Sequence, residues 1–242
     1  MKIKTNVLKN ILKKVSVNDN VLLNFRDDGL LVVVMNESNT LKIRGFFKPE
    51  NFIAYESVGL VPVQSFSNII KLLDTLGEEV EIIVKEYLLT FKTIGGSRVV
   101  ETELASKELF KEVEDKPFPT FEQMLQNHEV KTPSVVSMKN SELFNLINTI
   151  VNVNSRDYTF LLQGKDNNFV LSNTGRYRFT EKYNVPSISE HRAVYGEPLL
   201  EGIRYLTEDV VISFGTDTPC IVVEETPNSV VKVIVAPRVS ND

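Results

Sequence analysis

Apolar and polar residues alternate along this chain in a pattern that predicts the same order of elements twice. In the first half, residues 6–15 repeat apolar positions at helical spacing, which predicts a helix with one buried face. A second helix is predicted at residues 64–76. Strands are predicted at residues 21–25, 30–35, 41–47, 52–55, 80–85, 88–93 and 98–104.

The second half repeats this order. Helices are predicted at residues 141–151 and 197–206, the latter with Pro198 in its first turn, where proline is tolerated. Turn residues at 27–29 and 165–168 predict hairpins. Strands are predicted at residues 135–138, 158–163, 169–172, 176–183, 210–214, 220–224 and 230–235. Two helices and a majority of strands in each half predict an α+β fold.

The two halves can be aligned residue by residue at two places. A shift of 135 pairs Lys4, Leu8, Asn10, Ile11, Leu12 and Val15 with Lys139, Leu143, Asn145, Leu146, Ile147 and Ile150. A shift of 130 pairs Ile69, Ile70, Leu73, Leu76, Glu79, Val80 and Ile82 with Leu199, Leu200, Ile203, Leu206, Asp209, Val210 and Ile212. Amphipathic helices resemble one another by chance, but the shared order of elements favours two similar domains in tandem.

A connector separates the two predicted domains. Residues 105–133 are rich in lysine, acids and proline, so we expect a first domain at 1–104, a connector at 105–133 and a second domain at 134–242. The apolar residues Phe118, Phe121, Met124 and Leu125 interrupt this polar segment. They either pin the connector onto a domain or form part of a partner groove, and both are compatible with the sequence.

Composition places the chain among globular proteins of a reducing compartment. Its 242 residues are 42% hydrophobic and 24% charged, enough for two ordinary cores or one large one. The single cysteine, Cys220, lies in an apolar strand and is interpreted as packing. The N-terminus lacks the pattern of a secretory signal and no apolar run could span a bilayer, so we expect the cytosol or nucleus and no membrane partner.

The sequence offers no catalytic constellation. His128 and His191 are isolated from each other and from Cys220, and no glycine-rich phosphate-binding motif is present. We therefore expect a protein that is not an enzyme and needs no cofactor or metal.

The end of the chain carries a recognisable motif. It consists of Asp217-Thr218-Pro219-Cys220-Ile221-Val222-Val223-Glu224 and, further on, Val235-Ala236-Pro237-Arg238. Together with the repeat and the connector, these residues resemble the sliding clamps, specifically the two-domain, ring-forming type exemplified by proliferating cell nuclear antigen. The resemblance covers essentially the whole chain.

This resemblance implies a homotrimeric ring of six similar domains, each with two helices packed on antiparallel sheets, around double-stranded DNA. Such a clamp binds DNA without sequence preference and acts as a processivity factor for DNA polymerase and other replication proteins. Clients bind through short peptide motifs, and an ATP-driven clamp loader opens the ring. Identical subunits are not required, since some relatives form mixed rings. The compartment would be the nucleus or the cytoplasm, either at a nucleoid or in a virus-infected cell.

The charge balance suits a topological tether better than a conventional DNA-binding domain. A net charge of −5 argues against a broad basic face, whereas a sliding ring needs only a weakly attractive inner wall. The resemblance implies that the helices line the central hole, with cations on the faces turned toward it and acids outside, although Glu201 weakens the assignment in the last helix. The predicted DNA-facing residues are Lys9, Lys13, Lys14, Lys71, Lys139, Asn145, Asn148, Asn152 and Arg204.

The resemblance also assigns a client pocket and a subunit interface. The pocket residues are Met35, Leu41, Ile43, Phe121, Met124, Leu125, Pro219, Ile234, Ala236 and Pro237, with core packing as the alternative. Val233-Ile234 replaces the pair of tyrosines of proliferating cell nuclear antigen, so client preference would differ. Edge strands are expected to pair between subunits. The predicted interface residues are Arg98, Val100 and Thr102 of one subunit and Arg176, Tyr177 and Phe179 of the next.

Two other functions stay open from the sequence. One is a monomeric clamp-like processivity or late-transcription factor that holds DNA by surface charge, which would need a strongly basic outer face. The other is a protein-interaction scaffold that binds no DNA.

Overall fold

The structure is a computed structural model that describes residues 1–110, 123–124, 134–154, 159–173, 177–186 and 188–238. Contacts divide the chain into two compact units. Unit 1 comprises the described parts of Met1–Glu37, Ile43–Gln126 and Thr226–Val231, and unit 2 those of Ser38–Lys42, Asn127–Glu225 and Lys232–Asp242. The domain boundaries at residues 104 and 134 stay predictions, because most of the connector lies outside the described residues.

Unit 1 combines two helices with antiparallel strands. Its elements are β1 (Lys2–Lys4), α1 (Thr5–Lys14), β2 (Val21–Arg26), β3 (Gly29–Met35), β4 (Leu41–Phe47), β5 (Gly59–Val63), α2 (Phe66–Leu72), β6 (Glu79–Val84), β7 (Leu88–Thr93) and β8 (Val99–Glu103). Short 3-10 turns lie at Pro49–Asn51, Leu73–Thr75 and Lys107–Phe110. The strand orders are β1-β6-β7-β8 and β5-β2-β3.

Unit 2 is built in the same way. Its elements are β9 (Ser134–Lys139), α3 (Asn140–Asn154), β10 (Phe160–Lys165), β11 (Asn168–Asn173), β12 (Thr180–Asn184), β13 (Arg192–Tyr195), α4 (Pro198–Ile203), β14 (Asp209–Phe214), β15 (Cys220–Thr226) and β16 (Ser229–Val235). The strand orders are β12-β11-β10-β13 and β15-β14-β9. Strands β4 and β16 each have residues in both units. The α+β class is confirmed.

Strand register confirms the internal repeat. In unit 1, β1 pairs with β6 so that Lys4 lies opposite Glu79. In unit 2, β9 pairs with β14 so that Lys139 lies opposite Asp209. These pairs are related by the shifts of 135 and 130 found in the sequence. The shift of 135 relates β1 to β9, and the shift of 130 relates β6 to β14. The two shifts therefore describe the same pair of strands in each unit.

The helices bury equivalent faces. Leu8, Leu12 and Val15 are buried in or just after α1, and their counterparts at a shift of 135, Leu143, Ile147 and Ile150, are buried in α3. These side chains pack on the sheets of their own unit, which leaves the polar side chains of each helix on the opposite face.

One predicted strand of unit 1 is wrong and another was missed. Residues 52–55 do not form a strand, because the chain turns at Pro49–Asn51 and only Ala54 bridges to Lys2. Instead β5 pairs with β2, placing Val61 opposite Leu23. Pro62 argues against a strand in the sequence, but β5 is the last strand in the order β5-β2-β3, where a missing N–H is tolerated.

The second helix is shorter than its apolar pattern predicts. It begins at Phe66 because Ser65 has a left-handed backbone, with φ of 54°. Its first amides are bound by Asp19, whose carbonyl accepts from Phe66 N at 3.1 Å and whose carboxylate accepts from Ser67 N at 3.0 Å. This cap comes from 48 residues away, so no local cap marks the helix start in the sequence.

Unit 2 differs from the predicted elements at two strands and at its second helix, which spans Pro198–Ile203 and so ends before the predicted residue 206. The strand expected at residues 176–183 begins at Thr180, and the four-residue β13, which pairs with β10, was not predicted. The hairpin between β10 and β11 is confirmed, with Asp166 and Asn167 at φ of 50° and 58°.

Among the described residues, no helix is long and apolar enough to cross a membrane.

Candidate DNA-facing helices, client residues and strand edges

The polar face of α1 carries the densest group of cations on the helices of unit 1. Lys9, Lys13 and Lys14 are all half-buried on the face opposite Leu8 and Leu12. Lys9 Nζ forms an ion pair with Asp74 Oδ1, and the Lys9 side chain is 22% exposed. The positive charge of Lys9 is therefore partly neutralised within the unit. Lys13 and Lys14 lie in the last turn of α1.

The one predicted DNA-facing cation of α2 lies near an acid. Lys71 is exposed in the last turn of α2. The Ser67 amide and hydroxyl, with a further contribution from Lys71, hold the pKa of the Asp19 carboxyl below its ordinary value. Asp19 therefore stays ionised and offsets part of the Lys71 charge.

The helices of unit 2 present amides where unit 1 presents lysines. Asn145 and Asn152 are exposed on α3 and Asn148 is half-buried. No Lys or Arg lies between Asn140 and Asn154, and Lys139 is exposed just before α3.

The last helix offers one cation and two acids. Arg204 is exposed directly after α4. Burial, and then the charge of Glu197, raise the pKa of Glu201, while Arg204 opposes that rise. The predicted DNA-facing residues are thus surface residues of their units, with positive charge concentrated in unit 1.

A buried carboxylate holds the loop after α4. Glu224 is fully buried in β15, and its Oε1 accepts from Thr207 N at 2.5 Å and from Glu208 N at 2.8 Å. This bond fixes the segment that follows Arg204 and leads into β14. The sequence motif ending in Glu224 was recognised, but nothing in its spacing indicated this contact.

Three of the predicted client residues are core residues of the structure. Leu41 and Ile43 are each 1% exposed and Met124 is 2% exposed. Met35 is half-buried in β3. Phe121 and Leu125 lie outside the described residues.

The predicted client residues near the end of unit 2 are more accessible. Pro219, Ile234, Ala236 and Pro237 are all half-buried. The segment after β16 is anchored by two backbone hydrogen bonds, from Ala236 N to the Thr40 carbonyl at 2.9 Å and from Arg238 N to the Val194 carbonyl at 2.8 Å. These bonds attach the segment that contains Ala236 and Pro237 to unit 2.

The predicted interface strands lie at sheet edges. Within the described part of the chain, β8 pairs only with β7 and β12 only with β11. Val100 and Thr102 are half-buried, whereas Val99 is 47% exposed and Glu101 and Glu103 are exposed. Arg98 is exposed and its Nη1 donates to the Thr75 carbonyl at 2.5 Å. The more exposed face of β8 is therefore the acidic one, which the predicted residues did not include.

Two buried asparagines fix the approach to β12. Asn154 Oδ1 accepts from Tyr177 N at 3.0 Å and its Nδ2 donates to the Tyr177 carbonyl at 3.1 Å. Asn173 Nδ2 donates to the same carbonyl at 2.8 Å, and its Oδ1 accepts from Phe179 N at 2.7 Å.

These hydrogen bonds of Asn154 and Asn173, which we call the asparagine pair, leave the Tyr177 side chain 55% exposed and Phe179 half-buried. Arg176 lies outside the described residues. Sequence spacing could not reveal the asparagine pair, because its two residues come from different elements.

The described residues contain the thiol of Cys220 and the imidazole of His191. No cluster of three or more His, Cys, Asp or Glu side chains that could hold a metal is present among them. Complete burial raises the pKa of the Cys220 thiol to about 12, so it stays protonated and unreactive near neutral pH. His191 Nδ1 lies 3.2 Å from Thr216 Oγ1, and His128 is outside the described residues.

Comparisons with known proteins agree on the fold. No protein-family model and no curated protein matches the chain. A structure of A. fulgidus PCNA with the C-terminal region of FEN-1 matches 100% of this chain and 98% of its own, at 16% identity and a TM-score of 0.80. The PCNA2-PCNA3 complex from Sulfolobus tokodaii matches 98% of both chains, at 16% identity and a TM-score of 0.74.

A third structure, proliferating cellular nuclear antigen from Entamoeba histolytica, matches 98% of both chains at 14% identity and a TM-score of 0.77. The fold of this chain is that of the PCNA sliding clamps over its whole length. The resemblance found in the final motif and the repeat is confirmed at the level of fold.

Proposed function

We propose that this chain is a sliding clamp, a DNA polymerase processivity factor that encircles double-stranded DNA as a homotrimer. The observation that carries the proposal is the match to PCNA structures over 98–100% of the chain, with an internal repeat in the same register in both units. A shared fold does not by itself give a shared function. The polar helix faces supply chain-specific support, as do the edges of β8 and β12, each of which has one strand neighbour among the described residues.

The proposed DNA contact is weak, electrostatic and independent of sequence. Lys13 and Lys14, joined by Lys9 and Lys71, place cations on the helices of unit 1. Arg204 and Lys139 add charge in unit 2, and Asn145, Asn148 and Asn152 offer neutral donors to phosphate. Because retention would come from encirclement, a net charge of −5 is compatible with it.

We further propose that clients bind by short peptides. The matching A. fulgidus PCNA is bound to the C-terminal region of FEN-1. In this chain, Pro219, Ile234, Ala236 and Pro237 give unit 2 an accessible apolar surface for such a peptide. An ATP-driven loader is part of the proposal, because a closed ring cannot pass onto circular DNA unaided.

The client proposal can be tested at Ile234 and Pro237. Ile43 and Leu41 are unsuitable targets, because truncating core residues costs about 2–5 kcal/mol of stability. The double variant Ile234→Ala with Pro237→Ala should weaken binding of a fluorescent peptide with aromatic anchors at least about tenfold, with the oligomeric mass unchanged. Ile53→Ala, a truncation of an exposed residue in unit 1, is the control. Unaltered peptide affinity in the double variant would contradict the assignment.

Encirclement is tested by topology. The protein is incubated with linear plasmid so that rings thread from the ends, the DNA is closed with ligase, and bound protein is separated in high salt. A clamp stays on the circle and is lost when a restriction enzyme reopens it. Equal loss from circular and linear DNA would refute encirclement.

Light scattering gives the mass in the same samples. A trimer supports the ring. A monomer with salt-sensitive binding to short duplexes would favour a factor that holds DNA by surface charge, and no DNA binding at all would favour a scaffold.

A further inference from the structure

The strand pair β1 and β6 of unit 1 carries a row of alternating charges on the face opposite its buried side chains. Lys2 lies opposite Glu81, and Glu81 lies opposite Lys92 on β7. Lys2 and Lys92 are exposed, and Glu81 is half-buried. Opposite charges on facing strands stabilise such a row. This face of unit 1 is therefore suited to contact with water.

The equivalent row of unit 2 is apolar. Under the shifts of 135 and 130, its first two positions are Ser137 and Val211, which again lie opposite each other. Val211 in turn lies opposite Val223 on β15. Val211 is 39% exposed, and Val135, two residues before Ser137 on the same face, is 52% exposed. We call Val135, Val211 and Val223 the valine face.

The edge of the strand pair is covered in unit 1 by another segment of the chain. Lys2 N donates to the Ala54 carbonyl at 2.7 Å, and Ile53 N donates to the Lys2 carbonyl at 2.8 Å. The backbone groups of Lys2 therefore point away from β6, and an extended stretch at residues 53–54 satisfies them.

Strand β9 offers the same backbone groups at its edge. Ser137 is the counterpart of Lys2, so its N–H and C=O point away from β14. In the part of the chain that the structure describes, β9 pairs with β14 alone. Ser134 Oγ donates to the Ser189 carbonyl at 2.9 Å, which holds the beginning of the strand. Such an edge strand is a template for pairing with another chain.

We propose that the edge of β9 and the valine face bind an extended segment of a partner protein, which adds as a strand antiparallel to β9. Strand addition takes affinity from backbone hydrogen bonds and specificity from alternate side chains. The segment places an apolar residue opposite Val135, a small residue opposite Ser137 and an acid opposite the exposed Lys139. From its N-terminus it therefore reads acid, any residue, small residue, any residue, apolar residue.

A second copy of the chain fits this edge less well. Two β9 strands paired about Ser137 place each Val135 opposite a Lys139, so no apolar side chain covers Val135. Strand β9 is also distinct from β8 and β12, the strands at which subunits are expected to pair. The inference therefore does not depend on the proposed ring.

Binding of a synthetic peptide tests the site. The probe is a fluorescein-labelled peptide with Glu, Ser and Ile at alternate positions, and its control carries Lys in place of Glu. The Glu peptide should bind the full chain saturably in fluorescence anisotropy. The Lys peptide should bind at least about threefold more weakly, because it places like charges opposite Lys139. Absence of saturable binding by the Glu peptide overturns the inference.

Substitutions at exposed positions locate the peptide. Val135→Thr with Val211→Thr keeps the side-chain shape and removes apolar contact, so it should weaken peptide binding about tenfold. Val58→Thr with Val99→Thr changes two exposed valines of unit 1 and is the matched control, which should leave peptide affinity unchanged. Equal affinities of the two double variants would contradict the assignment.

The backbone pairing is tested at Ser137. Proline there removes an N–H that points away from β14, so Ser137→Pro should leave the sheet intact and weaken peptide binding about tenfold. Hydrogen exchange at the Ser137 amide of the natural chain should be fast without the peptide and slow with it. An amide already protected in the free chain overturns the inference, because another segment of the chain then occupies the edge.

Two further measurements separate the valine face from other surfaces. Ile234→Ala with Pro237→Ala should leave the affinity for this peptide unchanged, and a tenfold loss would place the peptide at the client residues instead. Light scattering should give the natural chain and the Ser137→Pro variant the same mass. A smaller mass for the variant would assign the edge to a second copy and overturn the inference.

Discussion

The two units provide hydrogen-bond acceptors for equivalent backbone amides from different side chains. In unit 1, the amide of Gly77 donates to Thr93 Oγ1 at 3.2 Å. In unit 2, the amide of Thr207, 130 residues later, donates to the buried carboxylate of Glu224. Thr93 and Glu224 occupy equivalent places, since they lie opposite Val80 and Val210.

This difference shows that the repeat preserves the hydrogen bond to the backbone amide more strictly than the type of side chain that accepts it. A neutral hydroxyl satisfies one amide, whereas a carboxylate satisfies two with stronger, charge-assisted bonds. The same divergence appears on the helices. Helix α1 has 10 residues and ends in lysines, whereas α3 has 15 residues and ends in asparagine. The helices of unit 1 therefore carry more positive charge than those of unit 2.

The largest expected effect lies at Glu224. Replacing it with alanine removes two charge-assisted hydrogen bonds and should lower the free energy of unfolding by about 3 kcal/mol. Thr93→Val removes one neutral bond and should cost about 1 kcal/mol. Urea unfolding followed by circular dichroism measures both. Equal losses at the two positions would show that the buried carboxylate contributes no more than the hydroxyl.

A change in the asparagine pair should have the next largest effect on the free energy of unfolding. Asn154→Ala leaves Tyr177 N–H and its carbonyl with fewer partners and should cost about 2 kcal/mol. Hydrogen exchange at the Tyr177 amide should become much faster. Asn152→Ala, on the exposed face of the same helix, should change neither quantity. Unchanged protection of Tyr177 in the Asn154 variant would show that other contacts hold this segment.

Most of the architecture could be predicted from the sequence because the repeated features are local. The apolar spacing around Leu8 and Leu143 predicts both long helices, and Asp166-Asn167 predicts a hairpin. The elements that were missed depend on distant partners. Strand β5 exists because it pairs with β2, and α2 begins where Asp19 caps it.

The candidate sites were predicted less completely for the same reason. Residue identity indicates lysines on a helix face, but it does not reveal that Lys9 pairs with Asp74. Nor does alternation along β8 show which face is exposed, since Val99 and Val100 are both apolar. Only the contacts of Thr90 and β7 distinguish the acidic face from the half-buried one.

Removing cations from unit 1 should affect DNA association more than removing amides from unit 2. The variant Lys13→Ala with Lys14→Ala should weaken DNA association several-fold at low salt. It should also reduce the slope of log affinity against log salt by about 0.9 for each phosphate that the variant no longer neutralises. Asn145→Ala with Asn152→Ala should leave that slope unchanged, because asparagine releases no counterions. Fluorescence anisotropy on short duplexes measures both, and equal slopes would show that the units contribute alike.

The smallest expected effect is an opposite response of the two units to pH. Hydrogen bonds from Ser67 lower the pKa of Asp19 below 3.8, so its contribution is present above that pH and is lost as the pH falls through the lowered value. Burial raises the pKa of Glu201 above 4.5, so ionisation there costs stability as the pH rises through the raised value.

At pH 7, Asp19→Asn should therefore destabilise the protein and Glu201→Gln should stabilise it. Both changes should be less than about 1 kcal/mol because the two groups are partly solvated. At a pH below the lowered pKa of Asp19 and the raised pKa of Glu201, both carboxyl groups are protonated, and neither variant should differ in stability from the natural chain. Urea midpoints at the two pH values measure this, and shifts of the same sign would contradict the assignment of charge to the two units.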